Sequence, residues 1–405
     1  MITYAEAQKL IEQNSSPGQA EEIFLSASLG YVSAENIHSP LPLPLFDNSA
    51  MDGFMLRSEE TLTATTQTPV FLNIRGVIKA GDSPSACLGK QEAYRIMTGA
   101  PIIKGSDAVL EKEKAEIQNN QLVLRAPVPK GRNVRFKGEE IKKRELVLPK
   151  NSVIRPGTIG FLASIGRNKI KIYRKPRIAL IATGSELVTP GSPLKPGKIY
   201  DSNTAMLCAS LDEMRIYPVF VRRLTDQPKI IQKVLAFALK QSDILILTGG
   251  VSVGEYDYVK ELLQKSGVET IFWKVSQKPG KPLYFGRKEN SLVFGLPGNP
   301  ASVFTCFYEY AYPAIRRFMG YKNPSLFSAR HPLKGSLKPD PEKILFVKSK
   351  IEAGEAKQVV PLKHQQSHMI SSLCEADSLI VVPSSQKMLE ENDLVLVHAL
   401  PSLEG

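Results

Sequence analysis

The sequence of 405 residues contains few cysteines, and none of them stands in a pattern that would make it structural. The four, Cys87, Cys208, Cys306 and Cys374, are widely spaced and form no Cys-x-x-Cys pair. This spacing argues against a disulfide framework and against a zinc site. The chain also has no apolar run long enough to cross a bilayer, and its first residues lack the cationic segment and apolar core of a signal peptide. We therefore expect a soluble, cytoplasmic protein without a membrane partner.

Aromatic residues are scarce at 7%, which leaves few stacking platforms for nucleic acid. Basic residues are numerous and give a formal net charge of +12, but they are spread along the chain and form no basic arm. We therefore expect no nucleic-acid partner, and the charge predicts an anionic ligand such as a phosphorylated small molecule. The sequence contains neither GxxxxGKS/T nor GxGxxG. This excludes the phosphate-binding loops of P-loop kinases and of dinucleotide-dependent dehydrogenases.

The length predicts about two to four domains. Residues 5–35 have a helical pattern with a break at 15–18. Residues 70–150 contain short β-type runs separated by glycine and proline, at 70–74, 92–97, 108–111, 122–124 and 146–148, which predict a small all-β domain. Short β-type runs occur again in residues 325–405 and predict a C-terminal β domain.

From residue 175 onward, strand patterns at 178–182, 217–221 and 244–247 alternate with helical patterns, as in a doubly wound α/β domain, and the run 178–182 is also of the buried type. The aliphatic run 244–247 has no polar alternation, which is typical of a strand buried on both faces of a parallel sheet. Loops that carry Glu186, Asp226 and Asp257 follow three successive predicted strands. Because open α/β sheets bind ligands at the carboxyl ends of their strands, we expect these acids to converge at one edge. Glu255 and Asp257 follow the Gly249-Gly250 loop, and we expect carboxylates there to hold a cation such as Mg²⁺. The alternative for Glu255 and Asp257 is that they only cap the following helix.

Two glycine- and lysine-rich loops predict contact with an anion. Gly249 and Gly250 allow positive φ and a close approach of the backbone to a ligand. Lys274, Lys278 and Lys281 crowd a proline-stiffened loop, where an anionic ligand would relieve their mutual repulsion.

A third candidate is the start of a predicted helix from residue 300 to about 318. Asn299 stands at the N-cap position and Pro300 at the first helical position, a pattern that predicts an anion site at the helix start. A capped structural helix without a ligand is the alternative.

Eight short motifs occur in a fixed order along the chain. They are FDNSAMDG at 46–53, RIMTGAP at 95–101, GRNVR at 131–135, IATG at 181–184, IYDSN at 199–203, GGVSVGE at 249–255, KPGKP at 278–282 and GLPGNP at 295–300. With these motifs the chain resembles, over nearly its whole length, the MoeA family of molybdopterin molybdenumtransferases, which includes the E domain of gephyrin.

The resemblance implies a multidomain fold of the α/β plus β class. We expect an elongated N-terminal domain of residues 1–45 and 146–174, an inserted small β domain of residues 46–145, a molybdopterin-binding α/β domain of residues 175–322 and a C-terminal β domain of residues 323–405. It also implies a homodimer in which each active cleft is shared between subunits.

The implied reaction inserts molybdate into adenylylated molybdopterin, releases AMP and forms molybdenum cofactor with Mg²⁺ as cofactor. Molybdopterin adenylyltransferase would be the donor of the substrate. A non-catalytic molybdopterin carrier or scaffold and a tungstate-inserting homologue are the alternatives.

The resemblance also assigns roles to individual residues. Asp226 and Asp257 would bind the metal, Glu186 would be a further catalytic acid, and Asp52 and Thr98 would be brought to the cleft by the partner subunit. The implied substrate-binding residues are Gly249, Gly250, Ser252, Glu255, Lys274, Lys278, Lys281, Pro297, Asn299 and Pro300.

The chain departs from the family pattern in the C-terminal domain. Lys348 stands near the position of a family arginine associated with molybdate, and lysine offers a point charge where arginine offers a fork. The loop at 366–369, which contains His368, replaces a glycine-containing serine loop of the family. Both changes affect the expected molybdate subsite.

Overall fold

A computed structural model of the chain describes residues 1–250, 259–352, 354 and 357–401. The helices in this part of the chain are α1 (Tyr4–Asn14), α2 (Pro156–Ser164), α3 (Ser202–Glu213), α4 (Pro228–Gln241), α5 (Val259–Lys265), α6 (Pro300–Cys306) and α7 (Tyr312–Phe318). A π-helical turn, Phe307–Ala311, joins α6 to α7. None of the described helices combines the length and the apolar character that a membrane-spanning helix needs.

The strands are named in chain order. They are β1 (Ala20–Phe24), β2 (Ile37–His38), β3 (Asn48–Ser49), β4 (Gly53–Leu56), β5 (Val70–Ile78), β6 (Glu92–Ile96), β7 (Ala108–Glu111), β8 (Glu116–Gln118), β9 (Gln121–Leu124), β10 (Val134–Arg135), β11 (Leu146–Leu148), β12 (Lys169–Tyr173), β13 (Ile178–Thr183), β14 (Leu187–Val188), β15 (Ile199–Tyr200), β16 (Phe220–Leu224), β17 (Ile244–Thr248), β18 (Glu269–Trp273), β19 (Gln277–Lys278), β20 (Tyr284–Lys288), β21 (Ser291–Leu296), β22 (Phe327–Pro332), β23 (Ile344–Glu352), β24 (Gln358–Pro361), β25 (Ser378–Val382) and β26 (Leu394–Ala399).

The N-terminal segment forms one short helix and one strand. Helix α1 begins with a capping box in which Thr3 and Glu6 bond to each other's backbone N–H, and it ends at Asn14. Residues 20–24 form β1, which pairs antiparallel with β12. The prediction of helix to residue 35 was therefore wrong. Pro17 disfavours helix in the residue before it, and the backbone of residues 20–24 pairs instead with β12, while Ile23 packs partly against the core.

The small β domain is a six-stranded sheet in the order β7-β4-β6-β5-β9-β8. Its core contains Phe54, Leu72 and Leu122, which lie on three different strands and are almost fully buried. The strands predicted at 70–74, 92–97, 108–111 and 122–124 are confirmed. Strand β11 pairs with β2 outside this sheet.

The α/β domain is built on a six-stranded sheet in the order β16-β13-β17-β21-β20-β18. The first four strands are parallel, and β20 and β18 complete the sheet antiparallel. Alternate residues of each buried strand enter different cores, because successive side chains of a strand point to opposite faces. Ile244 and Ile246 pack with α3 and the α6–α7 helices, whereas Leu245 packs with α4 and α5. The sheet is thus covered on both sides, as the unbroken aliphatic run predicted.

One predicted strand differs in position from the structure. The prediction was 217–221, whereas β16 is Phe220–Leu224. Tyr217 is largely exposed and Pro218 follows it, and proline has no N–H to donate to the ladder with β13. The strand therefore begins where pairing begins, at Phe220 opposite Ala179.

The C-terminal β domain has the strand order β19-β23-β25-β26-β22, with β24 paired to β23. Its edge strand β19 is Gln277–Lys278, which belongs to the lysine loop of the α/β domain and lies parallel to β23. The two domains therefore share this loop.

A buried carboxylate connects three distant parts of the chain. Glu309, on the π-helical turn, is 2% exposed. It accepts a hydrogen bond from the Tyr4 hydroxyl at 2.8 Å and lies 2.9 Å from His398 Nδ1 on β26. Helix α1, the α/β domain and the C-terminal sheet thus meet at one side chain. The predicted fold class is confirmed by this architecture, while the predicted domain boundaries stay a prediction.

Candidate functional site

The largest candidate site is a cavity of about 890 Å³ at the carboxyl edge of the α/β sheet. The ends of β13, β17 and β21 stand level there, since Ala182 pairs with Thr248 and Thr248 with Leu296. On the opposite side, residues 365–368 of the C-terminal domain line the cavity. It therefore lies where open α/β sheets bind ligands, and it is roofed by a second domain.

A second cavity of about 790 Å³ lies at the other edge of the sheet, where β17 and β21 begin. Its wall contains Arg174 and Arg177, which both contact the Asp243 carboxylate, together with Lys240, Arg287 and Lys288. None of the predicted site residues lines it, so the cavity at the carboxyl edge is the stronger candidate.

The floor of the main cavity carries three polar side chains from three elements. Thr183 ends β13, Thr248 ends β17, and Asn203 lies in the first turn of α3, whose start is capped by Asp201 accepting from the Thr204 N–H at 3.0 Å. Thr183 and Asn203 are only 4% and 7% exposed.

Two atoms of this floor have no hydrogen-bond partner within the described residues. Asn203 Nδ2 donates to Thr248 Oγ1 at 3.0 Å and to the Gly298 carbonyl at 2.8 Å, while Asn203 Oδ1 and Thr183 Oγ1 are unpaired. Buried polar atoms are normally satisfied, so these two are exceptions among the buried groups of the described residues.

The backbone approaches closely at Gly249, which also lines the cavity. Gly249 and Gly250 have φ of +83° and +65°, as the paired glycines predicted. A Cβ atom at position 249 would lie 2.3 Å from the Thr183 carbonyl oxygen. Only glycine fits there, for both steric and conformational reasons. Gly250 is outside the cavity lining.

Two of the three predicted loop lysines line the cavity. They are Lys278 and Lys281, and Lys343, which precedes β23, joins them from the C-terminal domain. Lys274 is not in the lining, and its Nζ lies 3.8 Å from the centre of the Trp273 ring. A substrate-binding role for Lys274 stays a prediction.

Buried Gln277 holds this lysine loop in place. Its Nε2 donates to the carbonyls of Pro279 and Gly280, each at 3.1 Å, and its Oε1 accepts from the hydroxyl of Tyr310. The lysines are therefore carried on a loop fixed from the helix beneath it.

The predicted acids stand at the ends of neighbouring strands. Glu186 lines the cavity. Asp226 lies outside the lining, beside the loop that carries Glu186: Asp226 Oδ2 accepts from the Ser185 N–H at 2.8 Å, and the Ser185 hydroxyl accepts from the Asp226 N–H at 3.1 Å. Ser252, Glu255 and Asp257 lie outside the described residues.

The described part of the chain contains no group of three metal-ligating side chains. The donor chemistry nevertheless fits Mg²⁺, which is usually held by one or two carboxylates together with substrate phosphates and water. Glu186 and Asp226 are hard oxygen donors on adjacent loops of the same sheet edge.

Asp52 and Thr98 contact each other in the small β domain. The N–H and the hydroxyl of Thr98 both donate to Asp52 Oδ1 at 2.7 Å, and these two bonds hold the pKa of Asp52 below its usual range. Neither residue lines the cavity, and none of the described residues of 46–145 does. That the partner subunit brings these two residues to the cleft stays a prediction.

The rim of the cavity joins the α6 start to the C-terminal domain. Asn299 occupies the N-cap position, but its side chain makes no cap bond and donates instead to Ser367 Oγ at 3.0 Å. Pro297 and Pro300 also line the cavity. The helix from residue 300 to 318 is confirmed, although its capping by the Asn299 side chain is not.

Lys348 is buried beneath the same rim. Its ammonium donates to the carbonyls of His364 at 2.7 Å and Met369 at 3.0 Å, and burial lowers its pKa. It thereby fixes the loop that brings Ser367 and His368 into the cavity wall. This lysine organises the loop and does not face the cavity.

Sequence reasoning did not select several lining residues. Thr183 lies inside the motif IATG at 181–184 and Asn203 inside IYDSN at 199–203. Membership of a motif was the only sequence signal for these two residues. Lys343 and Ser367 reach the cavity from the C-terminal domain, and no local pattern indicates that contact.

Three family profiles match the chain. They are described as the MoeA N-terminal region (domain I and II) at residues 2–166, a probable molybdopterin binding domain at 179–317 and the MoeA C-terminal region (domain IV) at 330–400.

Individual relatives match over most of their length. The molybdopterin molybdenumtransferase of Haemophilus influenzae is 34% identical over 412 aligned residues, covering 100% of both chains. That of Bacillus subtilis is 32% identical, covering 96% of this chain and 91% of the relative. The crystal structure of a molybdopterin biosynthesis MoeA protein from Pyrococcus horikoshii superposes with a TM-score of 0.87 at 30% identity, covering 98% of this chain and 99% of that one.

Proposed function

Because the chain belongs to the MoeA family of molybdopterin molybdenumtransferases, we propose that it inserts molybdate into adenylylated molybdopterin, releasing AMP and forming molybdenum cofactor. The predicted family is thereby confirmed, and the protein is an enzyme of molybdenum cofactor biosynthesis. The adenylylated substrate, the release of AMP and the dependence on Mg²⁺ are the parts that we propose.

The lysine-lined cavity is the observation that carries this proposal. Lys278, Lys281 and Lys343 meet at one site from two domains, and the site is roofed and partly shielded from water. Adenylylated molybdopterin and molybdate are both anions, so convergent ammonium groups would bind both and bring them together.

The chain's own residues would act by position and charge. The lysines would neutralise negative charge that develops on the phosphoanhydride as it is cleaved. Glu186 and Asp226 would hold Mg²⁺, whose role when bound is to neutralise phosphate oxygens. No nucleophilic side chain is required.

The proposal includes the setting of the reaction. The enzyme would be a cytoplasmic homodimer with a cleft shared between subunits, and molybdopterin adenylyltransferase would supply its substrate. Asp52 and Thr98 of one subunit would complete the cleft of the other, which agrees with their absence from the cavity lining of their own chain.

The direct test is release of AMP from adenylylated molybdopterin by the purified protein, with and without molybdate and Mg²⁺. We expect release to require both ions and to fall about a hundredfold in Asp226→Asn, because the variant keeps a side-chain acceptor for Ser185 but loses a charge at the metal. A tungstate arm tests the alternative oxyanion.

The matched control is Asp82→Asn. Asp82 also accepts a backbone N–H, from Lys79 at 2.7 Å, but lies exposed in the small β domain. Wild-type rates are expected for it. AMP release by Asp226→Asn at the wild-type rate, or release without any oxyanion, would contradict the proposal.

A further inference from the structure

We propose that the second cavity, at the edge of the α/β sheet where β17 and β21 begin, is a separate binding site for a phosphorylated organic molecule. Its volume is about 790 Å³, close to the 890 Å³ of the lysine-lined cavity. The two cavities lie at opposite ends of β17, whose five residues span about 17 Å. Such a site goes beyond the proposed reaction and does not depend on it.

The second cavity lies where separate segments of the chain meet. Its wall is formed by residues of the linker 14–19, by Arg174 and Arg177, by residues of the turn 239–243, by the hairpin residues 287–292 and by Phe318 at the end of α7. A concave site of this size between packed elements is suited to a small organic ligand.

Cationic side chains outnumber acidic ones in this wall. The cations are Arg174, Arg177, Lys240, Arg287 and Lys288, and the acids are Asp243 and Glu289. Asp243 is shared between Arg174 and Arg177, so it cannot neutralise both. The excess of positive charge is concentrated in a concave surface, which favours an anionic ligand.

The register of the sheet directs Arg287 toward the side of the cavity that carries Arg174. Arg287 lies directly opposite Leu292 in the antiparallel pair of β20 and β21, so the two side chains share one face of the sheet. Leu292 packs on that face with the core that contains α1 and α7, and its N–H donates to the Asp243 carbonyl at 2.9 Å. Helix α7 ends at Phe318, whose ring centre is 4.9 Å from the Arg174 guanidinium.

Two of these guanidinium groups are accessible and have donors to offer. The Arg287 side chain is exposed and has no hydrogen-bond or ion-pair partner among the described residues. The Arg177 side chain is 54% exposed, and its contacts with Asp243 are 3.3 and 3.4 Å, longer than those of Arg174 at 2.7 and 2.8 Å. Because a guanidinium binds phosphate through two parallel N–H bonds, we assign Arg287 and Arg177 to the phosphate group. Arg174 stays with Asp243.

The remainder of the wall matches an organic portion of the ligand. A phosphate group alone would fill only a small part of the cavity. The exposed Pro17 and the partly exposed Phe318 ring offer apolar surface, and Asn14, Gln19 and Asn290 offer amide groups for hydroxyl or ring polar atoms. The site therefore fits a phosphate ester of a sugar or nucleoside better than inorganic phosphate.

The test measures dissociation constants of inorganic phosphate, ribose 5-phosphate and AMP by titration calorimetry. The protein carries Lys278→Met and Lys281→Met, which remove two cations of the lysine-lined cavity, so that anion binding there does not obscure the second site. We expect at least one of the two organic phosphates to bind about tenfold more tightly than inorganic phosphate, because it also contacts the rest of the wall.

Arg287→Gln in the same background tests the assignment of the phosphate group. We expect affinity for the organic phosphate to fall about tenfold, because a charged bidentate contact is lost. Arg330→Gln is the matched control, since Arg330 is also an exposed arginine on a strand, lines neither cavity and carries the same charge. Its affinity should equal that of the background, and melting temperatures establish that each variant is folded.

Amide hydrogen exchange in the wild-type protein gives a second measurement that needs no variant. The bound organic phosphate should slow exchange in residues 14–19 and 287–292. Protection confined to residues 365–368 would place the ligand in the lysine-lined cavity and would overturn the proposal.

Three results of the titrations would also overturn it. They are no binding of either organic phosphate in the Lys278→Met and Lys281→Met background, equal affinities of Arg287→Gln and Arg330→Gln, and inorganic phosphate binding as tightly as both organic phosphates. None of these measurements uses turnover, so the outcome does not depend on whether the protein releases AMP from adenylylated molybdopterin.

Discussion

Asp243 joins two segments of the chain through its ionised carboxylate. Its carboxylate accepts a bidentate pair from Arg174 at 2.7 and 2.8 Å and a further bond from the Arg177 N–H at 2.8 Å. Burial alone would raise its pKa, but the arginine hydrogen bonds outweigh burial and lower the pKa from 3.8 to about 2. Asp243 thus fastens the segment after β12 to the start of β17.

We predict that Asp243→Asn lowers the melting temperature at pH 7 by about 5 °C, equivalent to about 2 kcal/mol. The pKa is lower in the folded state, so this stabilisation is complete above about pH 4 and is lost as the pH falls through about 2. The difference between variant and wild type should therefore shrink as the pH is lowered toward 2. Scanning calorimetry between pH 2 and pH 7 measures it.

The control is Glu116→Gln, which removes an ion pair of the same bidentate geometry that is exposed to solvent. Glu116 also forms a bidentate pair, with Arg125 at 2.8 and 3.0 Å, but both side chains are more than 40% exposed. Solvent screens such a pair, so its loss should change the melting temperature much less. Equal effects of the two variants would contradict the role assigned to Asp243.

At the scale of the elements, the loop of residues 364–369 is supported by a buried lysine side chain. It lies between β24 and β25, and the ammonium of Lys348 bonds to carbonyls at both of its ends. Ser367, at its centre, accepts from Asn299 and through its carbonyl from the Ala301 N–H at 3.1 Å. The cavity wall contributed by the C-terminal domain is therefore held by one buried cation, by the Gln365 side chain, which bonds to the Lys348 backbone, and by contacts with the α6 start.

We predict that Lys348→Met loosens this loop without unfolding the C-terminal sheet. Two carbonyls lose a charged donor, so amide hydrogen exchange in residues 365–369 should become about 10- to 100-fold faster. The KM for molybdate should rise, because Ser367 and His368 would no longer be fixed at the cavity. Exchange followed by mass spectrometry measures the first effect, and AMP release the second.

Lys350→Met is the matched control, since Lys350 lies two residues along the same strand and is exposed. It should leave both exchange and KM at wild-type values. If Lys348→Met exchanged at the wild-type rate, Lys348 would have no organising role, and the departure from the family arginine would need another explanation.

At the scale of the whole molecule, the cavity is lined by the α/β and C-terminal domains and not by the small β domain. The α/β and C-terminal domains share the lysine loop through β19 and meet again at Glu309 and His398. The described residues of 46–145, including Asp52 and Thr98, contribute nothing to its lining. If these two residues act in the reaction, they must reach the cleft of another subunit.

We predict complementation between two inactive variants, Asp52→Ala and Asp226→Asn. Random exchange of subunits makes half of the dimers mixed, and each mixed dimer has one intact cleft, so about a quarter of wild-type activity should return. The measurement is AMP release after mixing, with native mass spectrometry to follow subunit exchange. A mixture that exchanges fully but stays inactive would place Asp52 in the cleft of its own chain.

Much of this protein is determined by local sequence. The unbroken aliphatic runs of β13 and β17 predicted strands buried on both faces, because apolar side chains on both sides of a strand require cover on both sides. Gly249 and Gly250 predicted positive φ, which the structure contains. The order of eight motifs predicted the family, which is confirmed.

Only the tertiary structure decided which distant side chains meet. The segment after α1 pairs as a strand with β12, Lys348 faces inward beneath a loop, and Asn203 turns its amide hydrogens to Gly298 and Thr248. None of these contacts lies within one local window of sequence. Each depends on the register of separate segments, and the unpaired oxygens at the cavity floor follow from that register and from burial, which no pattern along the chain encodes.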